Sequence, residues 1–276
     1  MNKSKVEAYF CIAKSPVLVG AGEGYGRADC NIQRETATHL PKIDGTVLKG
    51  AATEIVDKVI GEIIRKEGGD AKLAFTDLHL LFFPVKSSKG IYTLVSCPMC
   101  IERFCKEMMW AGKMSKETSY RIKKILGYVY SDYVLRYSDK IEQKKQMEVI
   151  AGQRFWVNES TLIREMIQLM QLDEKLYTKV GIINDRDFLH IVNEETEFVV
   201  RNKLLQNKAE KKKLFTEEYL PEGSILYGFI FEMKDIVKPV NEDLLGEIIT
   251  KLQQARVFIG RNYTLGKGSV SIQQIG

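Results

Sequence analysis

The stretch GAGEGYGRADCNIQRE, residues 20–35, runs towards LPKIDGTVLKGA, residues 40–51, and organises the chain. Glycine stands at every second position of its first half, at Gly20, Gly22, Gly24 and Gly26. Because glycines at this spacing leave a strand without side chains to pack, we expect a loop whose backbone lies close to another group. Its amides are available to an anion. A turn that only lets a strand and a helix pack is the alternative, and the glycines alone favour it.

A helix is predicted after this loop, because apolar residues recur at helical spacing from Thr46 to Lys66. Lys49 falls in its first turn, where backbone amides lack partners within the helix. A helix N-terminus with a nearby lysine suits a phosphate group. The sequence therefore predicts that this helix start contributes to anion binding.

Two known phosphate-binding motifs do not fit the glycine loops. The dinucleotide motif needs glycine where Tyr25 stands, and a P-loop at the other end of the chain needs glycine where Arg261 stands. What remains is a second glycine loop, GRNYTLGKG, residues 260–268. The failure of both motifs argues against an unrelated nucleotide-binding enzyme.

Composition is that of an ordinary globular protein, with 276 residues, 45% hydrophobic content and 28% charged residues. The net charge of +5 leans basic but is too small to prove a polyanion partner. The first ten residues hold no apolar run typical of a signal peptide, and no stretch approaches the roughly 18 apolar residues of a membrane span. We expect a cytoplasmic protein with no membrane partner.

Five cysteines, an odd number, are expected to be reduced thiols in a large intracellular chain. Cys97 and Cys100 have the spacing of half a zinc site. Completing four ligands would need Cys105 or a distant histidine, so structural zinc is the less favoured reading.

The order of predicted elements is a strand, the glycine loop and a helix at the front, and a strand, a helix, the second glycine loop and a strand at the back. Between them lie two apolar strands around the turn at residues 86–90 and helices near residues 101–110, 160 and 184. The two ends together predict a split βαβ arrangement.

Two segments between these ends are compatible with nucleic-acid binding and also with a purely structural role. Residues 112–152 interleave lysine and arginine with tyrosine, which suits single-stranded nucleic acid and equally suits a helical insertion with a solvated charged face. Residues 196–221 predict a hairpin with a basic tip, and solvation alone would explain the lysines of that tip.

With these stretches established, the chain resembles the RAMP superfamily, in particular the repeated backbone subunit of the type III-B CRISPR effector, the Cmr complex. The two opening stretches carry the resemblance together with FFPVKSSKGIYTLVSCP (82–98), residues 196–201, FTEEYLP (215–221) and GRNYTLGKGSV (260–270). The terminal glycine loop marks the superfamily, whereas residues 29–35 followed by LKG point to this subunit.

The resemblance implies an α+β fold: a modified ferredoxin-like or RRM-like RAMP core with helical insertions and a protruding thumb β-hairpin. It implies one domain over residues 1–276. The core would take about residues 1–66 and 220–276, the inserted helical and hairpin segments about 70–195, and the thumb about 196–219, centred on Phe198 to Phe215.

The resemblance also implies partners and an activity. The partners are guide CRISPR RNA, target RNA, copies of the same chain in a helical filament, and other subunits of the Cmr complex. The activity is cleavage of target RNA at regular intervals, with a divalent metal ion, Mg²⁺ or Mn²⁺. Asp29 falls on the position of the catalytic and metal-binding carboxylate, and Glu217 and Tyr219 are supporting active-site candidates.

The RNA-binding candidates are the glycines of the first loop and a set of basic side chains. They are Gly20, Gly22, Gly24, Gly26, Arg34, Lys49, Arg201, Lys208, Lys211, Arg261 and Lys267. A catalytically silent RNA scaffold would share all of these binding residues. It would differ at Asp29, which would then serve only as a loop-capping carboxylate.

Two departures from the family pattern matter. Leu18 stands where members often carry histidine before the first glycines, so a proton-transfer role for an imidazole is absent. Lys211 to Lys213 stand where members usually have a glycine turn in the thumb. A lone carboxylate remains sufficient in principle, because an RNA 2′-hydroxyl held in line with its phosphorus needs mainly positioning and charge stabilisation.

Overall fold

The computed structural model describes residues 5–21, 28–67, 71–139, 146–203, 213–233 and 243–276. Fourteen strands and seven α-helices lie in these ranges. In chain order they are β1 (Val6–Ala13), β2 (Lys42–Ile43), α1 (Gly45–Ile55), α2 (Lys58–Arg65), β3 (Leu73–Phe75), β4 (Leu78–Lys86), β5 (Tyr92–Ser96), α3 (Pro98–Trp110), α4 (Lys116–Leu126), β6 (Tyr133–Arg136), β7 (Met147–Ile150), β8 (Gln153–Glu159), α5 (Leu162–Leu169), β9 (Val180–Ile182), α6 (Asp185–Glu194), β10 (Glu197–Lys203), β11 (Lys213–Tyr219), β12 (Ile225–Glu232), α7 (Leu244–Gln254), β13 (Val257–Phe258) and β14 (Ser269–Ile275).

One large, mostly antiparallel sheet carries twelve of the described strands in the order β13-β14-β1-β12-β4-β5-β9-β6-β8-β7. Two short strands join it at the side, β2 on β4 and β3 on β12. The pairs β5/β9 and β6/β8 are parallel. Strands β10 and β11 form a separate two-stranded sheet.

Helices cover both faces of the sheet. Alternate residues of a strand point to opposite faces, so one strand contributes side chains to the buried clusters on both sides. Tyr9 and Cys11 of β1 pack with Leu48 of α1 and Ile248 of α7 in one buried cluster. Ala8 and Phe10 pack into a second cluster on the other face, with residues of α3, α4 and α5 such as Phe104, Ile122 and Ile163. The basic segment after residue 112 therefore begins as an amphipathic helix, α4, whose apolar side is core.

Most predicted elements are confirmed. The turn at residues 86–90 joins β4 and β5 in antiparallel register, with Lys86 opposite Tyr92. Asn184 caps α6 by accepting from the Asp187 amide. The strand, helix, short strand and strand predicted at the C-terminal end are β12, α7, β13 and β14.

The prediction of a single helix from Thr46 to Lys66 is wrong, because α1 ends at Ile55 and a second helix, α2, begins at Lys58. Asp57 has extended backbone angles, and its carboxylate accepts from the amides of Val59 and Ile60. An aspartate that satisfies the first free amides is a helix N-cap. The apolar stripe continues across the break, so periodicity alone did not reveal it.

The five cysteines are buried and free. Within the described ranges, no three His, Cys, Asp or Glu side chains lie close enough together to hold a metal ion, and this includes the surroundings of Cys97 and Cys100. The described helices include none long and apolar enough to cross a membrane.

Candidate nucleic-acid interface

Strand β11 is the centre of the candidate site, because it pairs with β10 on one side and with the glycine-loop exit on the other. The Cys30 amide donates to the Thr216 carbonyl at 3.2 Å, and the Glu218 amide donates to the Cys30 carbonyl at 2.9 Å. Cys30 and Glu217 form an isolated parallel bridge. Asp29 is thereby delivered to the edge of β11, although the two segments lie far apart in sequence.

Asp29 is exposed and is held by Thr216 through two hydrogen bonds. Its amide donates to the Thr216 carbonyl at 2.9 Å, and its Oδ2 accepts from the Thr216 amide at 2.8 Å. No residue in the described ranges bonds the Oδ1 atom. One carboxylate oxygen therefore anchors the side chain, and the other has no hydrogen-bond partner among the described residues.

Glu217 and Tyr219 lie on the opposite face of β11 from Thr216, since successive strand residues alternate. Tyr219 donates from its hydroxyl to Glu217 Oε2 at 2.6 Å. Asn262 Nδ2 lies 3.0 Å from Glu217 Oε1 and 2.8 Å from the Tyr219 hydroxyl. Arg201 Nε lies 2.6 Å from Glu217 Oε2, and its Nη2 donates to the Tyr219 hydroxyl at 2.9 Å. The two supporting candidates therefore form one buried network with β10 and the terminal loop.

Burial raises the pKa of Glu217, but the hydrogen bonds from Tyr219 and Asn262 and the charge of Arg201 outweigh it, so the pKa is lowered. The pKa of Tyr219 is raised, by burial and by its hydrogen bond to Glu217. Glu217 is thus a fixed carboxylate, and Tyr219 a fixed hydroxyl. No described contact joins either of them to Asp29.

Half-buried Arg34 and buried Glu218 form a second ionic network next to the first. Arg34 Nη2 lies 2.6 Å from Glu218 Oε1, and Arg34 Nη1 donates to Asn193 Oδ1 at 2.8 Å. Glu218 also accepts from the Thr196 hydroxyl at 2.8 Å and from the Ile32 amide at 3.2 Å. The guanidinium of Arg34, predicted to contact RNA, is therefore placed on protein partners.

The terminal glycine loop approaches the first glycine loop closely. Gly260 has φ +77°, and a Cβ there would collide with the Leu18 carbonyl oxygen. The Arg261 amide donates to that same oxygen at 2.8 Å. Arg261 is exposed, and its Nη1 lies 3.7 Å from Cys30 Sγ. Burial raises the pKa of that thiol.

Two further RNA-binding candidates lie on the rim of this loop pair. A Cβ on Gly20 would lie 3.2 Å from Cys30 Sγ and 3.8 Å from the Arg261 guanidinium carbon, so the glycine permits close packing. The Lys267 ammonium lies 3.3 Å from Glu197 Oε1 and 4.9 Å from the Tyr219 ring centre. The structure thus brings together Gly20, Arg201, Glu217, Tyr219, Arg261 and Lys267, whereas Asp29 is held by Thr216 and makes no described contact with Glu217 or Tyr219.

The start of α1 is not an anion site, which corrects the prediction from the sequence. Asp44 caps it by accepting from the Thr46 amide at 3.0 Å, and Asp77 Oδ1 accepts from the Gly45 amide at 3.0 Å. Two carboxylates occupy the place where a phosphate would bind. Lys49 lies in the second turn, with its ammonium 3.4 Å from Glu67 Oε1.

Several predicted positions lie outside the described residues. They are Gly22, Gly24, Gly26, Lys208 and Lys211. The Leu18 side chain, at the position where a histidine was expected, is fully buried.

Sequence reasoning missed Asn262, which connects the terminal loop to Glu217 and Tyr219. Its φ of +64° is a left-handed conformation that asparagine tolerates better than most residues. An asparagine inside a glycine loop was the available signal. Thr216 was also missed, because its role rests on backbone atoms that any residue would supply.

Comparison with known proteins agrees with this architecture. The sequence model of the RAMP superfamily matches residues 10–271 of this chain. A curated relative, the CRISPR system Cmr endoribonuclease Cmr4 of Pyrococcus furiosus, is 28% identical over 94% of this chain and 92% of its own.

Solved structures show the same fold at low sequence identity. Oligomeric Cmr4 from Pyrococcus furiosus superposes with a TM-score of 0.75 at 24% identity, covering 99% of this chain and 100% of that one. A chain of the type III-B Cmr-beta complex bound to cognate target RNA superposes with a TM-score of 0.73 at 16% identity, covering 98% and 97%. Because the family match spans nearly the whole chain, this protein belongs to the RAMP superfamily.

Proposed function

We propose that this protein is a repeated backbone subunit of a type III-B CRISPR RNA-guided complex, which binds guide RNA and cleaves complementary target RNA at regular intervals. The observation that carries the proposal is the similarity, over 94% of the chain, to a protein named Cmr endoribonuclease. The exposed carboxylate of Asp29 supplies the reacting group. The partners would be guide CRISPR RNA, target RNA, further copies of this chain and other Cmr subunits.

The strand order supports a ferredoxin-like core within one RAMP domain. β1 and β12 are central, β14 and β4 flank them, and α1, α2 and α7 pack on one face. This is the arrangement of a split βαβ unit. The strands β5 to β9 with α3, α4 and α5 would be the insertion, and the β10/β11 pair would be the thumb.

The proposed reaction is transfer of an RNA phosphoryl group to the neighbouring 2′-hydroxyl. Asp29 would take the 2′-hydroxyl proton, the 2′-oxygen would attack phosphorus, and the bond to the 5′-oxygen would break. The leaving 5′-oxygen would take a proton from solvent water, which gives a 2′,3′-cyclic phosphate and a 5′-hydroxyl. The anchor on Thr216 fixes the carboxylate, so little side-chain freedom is lost on reaching the reactive geometry. No histidine is required.

The residues around Asp29 fit a divalent ion that is held largely by water and RNA. Glu217 and Glu218 are occupied by basic and amide partners, which leaves Asp29 as the available carboxylate among the described residues near β11. Mg²⁺ usually keeps several waters and binds one or two carboxylates together with substrate phosphates. Asp29 Oδ1 would hold the ion, which would supply positive charge at the phosphate oxygens.

RNA backbone binding is assigned to the rim formed by the two glycine loops. Arg261 is exposed there, and Lys267, in the same terminal loop, has a fifth of its side chain exposed. Cations that meet phosphates confer salt-sensitive affinity with little dependence on base sequence. Arg34 and Arg201 would act indirectly, since both neutralise glutamates of β11.

The experiment reconstitutes the complex with guide RNA and maps the products of an end-labelled target. We expect evenly spaced cuts in a complementary target, no cuts in a non-complementary one, and complete loss of cutting in EDTA. A complex that binds target without cutting it would support the silent scaffold. That reading has its own observation, since Asp29 already serves as a cap on Thr216. A purified chain that stays monomeric and indifferent to RNA would reject both.

A further inference from the structure

Helix α4 has an exposed side that plays no part in the mechanism described above. Its opposite side is buried through Ile122, Ile125 and Leu126. Four exposed residues of the helix form a feature that we call the Lys–Tyr row: Lys116, Tyr120, Lys123 and Lys124. Residues four apart lie above one another on a helix, so Lys116, Tyr120 and Lys124 form a line of about 12 Å.

The lysines of the row carry positive charge that the described residues do not neutralise. In the ranges that the structure describes, no carboxylate oxygen lies within 4.0 Å of their ammonium groups. The neighbouring Arg121 is paired with Glu165 of α5 at 2.6 Å. Glu117 is the carboxylate of α4 itself, and it stands against the three lysines of the row. A polyanion would therefore meet an excess of positive charge on this side of the helix.

Tyr120 is not explained by the solvation of a charged helix face. It has 60% of its surface exposed, and tyrosine is a weaker helix former than the Ala, Glu, Gln or Lys that usually fill such positions. The Lys124 ammonium lies 4.7 Å from the centre of the Tyr120 ring. This cation–π contact covers one face of the ring, and the other face is left for a stacking partner.

Two further exposed tyrosines follow the row where the chain leaves α4. Tyr128 and Tyr130 have 48% and 52% of their surface exposed. Their segment is held in place, because Asn158 Nδ2 donates to the Tyr128 carbonyl at 2.9 Å and the Trp156 amide donates to the Asp132 carbonyl at 2.8 Å. Aromatic surface therefore continues past the lysines on a fixed stretch of backbone.

This combination favours single-stranded RNA over other polyanions and over a lipid surface. Rings offer stacking to unpaired bases, and ammonium groups meet the phosphates. The bases of a duplex are already stacked, so a duplex would use the lysines alone. A membrane would need the apolar side of α4, which is buried with Phe104 and Ile163 in the core.

We propose that the Lys–Tyr row, continued by Tyr128 and Tyr130, binds single-stranded RNA without base preference, at a site separate from the interface around Asp29. The two sites lie apart because α4 packs in the cluster of Phe104, whereas Cys30 and Tyr219 belong to the cluster on the other face of the sheet. The proposal goes beyond the proposed function. The row would hold RNA that is not paired with the guide.

The test measures the fluorescence anisotropy of a labelled RNA that is not complementary to the guide, titrated with the guide-bound complex over a salt series. A duplex of the same sequence is titrated in parallel. The variants are Tyr120→Ala, Tyr120→Phe and the pair Lys116→Gln with Lys124→Gln. The matched control is the pair Lys58→Gln with Lys251→Gln, which removes two exposed lysines from α2 and α7. All the replaced side chains are exposed, and urea midpoints check that each variant folds.

We expect Tyr120→Ala to weaken binding of the single strand about 5- to 150-fold, the range of one base–aromatic stack. Tyr120→Phe keeps the ring and should bind as wild type does. Loss of Lys116 and Lys124 should reduce the slope of log affinity against log salt by about 1.4, at about 0.7 for each phosphate contact. The control pair should retain the wild-type slope.

The proposal would be overturned by a wild-type complex that ignores the unpaired RNA, by unchanged binding in Tyr120→Ala, or by equal affinity for the duplex. Loss of another Cmr subunit from the variants, with RNA binding unchanged, would make the row a protein interface and would also overturn it. If no guide-bound complex assembles, the proposed function fails. The same RNA is then titrated against the full chain alone, and the differences between the variants still decide the role of the row.

Discussion

Asp29 and Thr216 exchange two hydrogen bonds, from the Asp29 amide to the Thr216 carbonyl at 2.9 Å and from the Thr216 amide to Asp29 Oδ2 at 2.8 Å. The first bond involves only backbone atoms and survives any substitution at position 29 except proline. The second depends on the side chain. Structural and chemical roles of this carboxylate can therefore be separated by choosing the replacement.

Asparagine at position 29 keeps an oxygen acceptor for Thr216, whereas alanine removes it. We expect Asp29→Asn to unfold at nearly the wild-type urea midpoint and Asp29→Ala to lose about 0.5–1.5 kcal/mol, the contribution of one hydrogen bond. Urea titrations of the three proteins make the comparison. Equal stability of all three would show that the side-chain bond to Thr216 contributes nothing.

Asn262 is expected to stabilise the fold through Glu217 and Tyr219 and not through its backbone. Asn262→Gly retains the left-handed conformation at no steric cost but removes the donors, so buried Glu217 loses a partner. We expect a loss of about 1–3 kcal/mol in the free energy of unfolding. Thr264→Ala, at an exposed position in the same loop, is the control and should change little. A glycine variant as stable as wild type would contradict this role.

Two glycines of the terminal loop separate backbone strain from steric collision. Gly260 and Gly266 have φ +77° and +78°, but a Cβ on Gly260 would collide with the Leu18 carbonyl, whereas one on Gly266 would meet nothing within 4 Å. Gly266→Ala should cost about 1–2 kcal/mol, the cost of a left-handed residue with a side chain. Gly260→Ala should cost clearly more, in thermal or urea unfolding. Equal losses would mean that the loop moves away from Leu18 without penalty.

Glu35 predicts a pH dependence of stability. Burial raises its pKa, but His79, Thr38 and Arg103 outweigh burial and lower it to about 2. A carboxyl with a depressed pKa contributes stability that is present above its unfolded value, about 4.5, and is lost as pH falls towards 2. Glutamine resembles the protonated acid, so wild type and Glu35→Gln should differ most near neutral pH and converge only as the pH approaches 2. Unfolding titrations over a pH series test this, and a constant difference would contradict it.

The local elements were predictable because each depends on neighbouring residues. The strand at β1, the β4/β5 turn and the cap of α6 by Asn184 follow from periodicity and turn chemistry. Asp57 could have been recognised as a cap, but the apolar stripe concealed it. Asp44 could likewise have been recognised as the cap of α1, whose first amides the sequence analysis assigned to phosphate binding.

The ionic networks of the site were not predictable, because their members are distant in sequence. Arg34 and Glu218 are 184 residues apart, and nothing in either neighbourhood specifies the other. Asp77, whose carboxylate accepts from the Gly45 amide, is 32 residues away and directly precedes β4. The resemblance to a family indicated Asp29, Glu217 and Tyr219, but only the paired segments show that Asp29 lies on Thr216 while the other two face Asn262 and Arg201.

The rate of target cleavage by Asp29→Asn tests the central claim most directly. The assay uses the reconstituted guide-bound complex under single-turnover conditions, with Glu62→Gln as a control that removes one exposed negative charge elsewhere. We expect Asp29→Asn to assemble and bind target as wild type does but to cleave it at least about 10²- to 10⁴-fold more slowly, the contribution of a general base. Glu62→Gln should cut at the wild-type rate. Cleavage by Asp29→Asn at the wild-type rate, with the same spacing of products, would contradict the assignment of Asp29 as the reacting group.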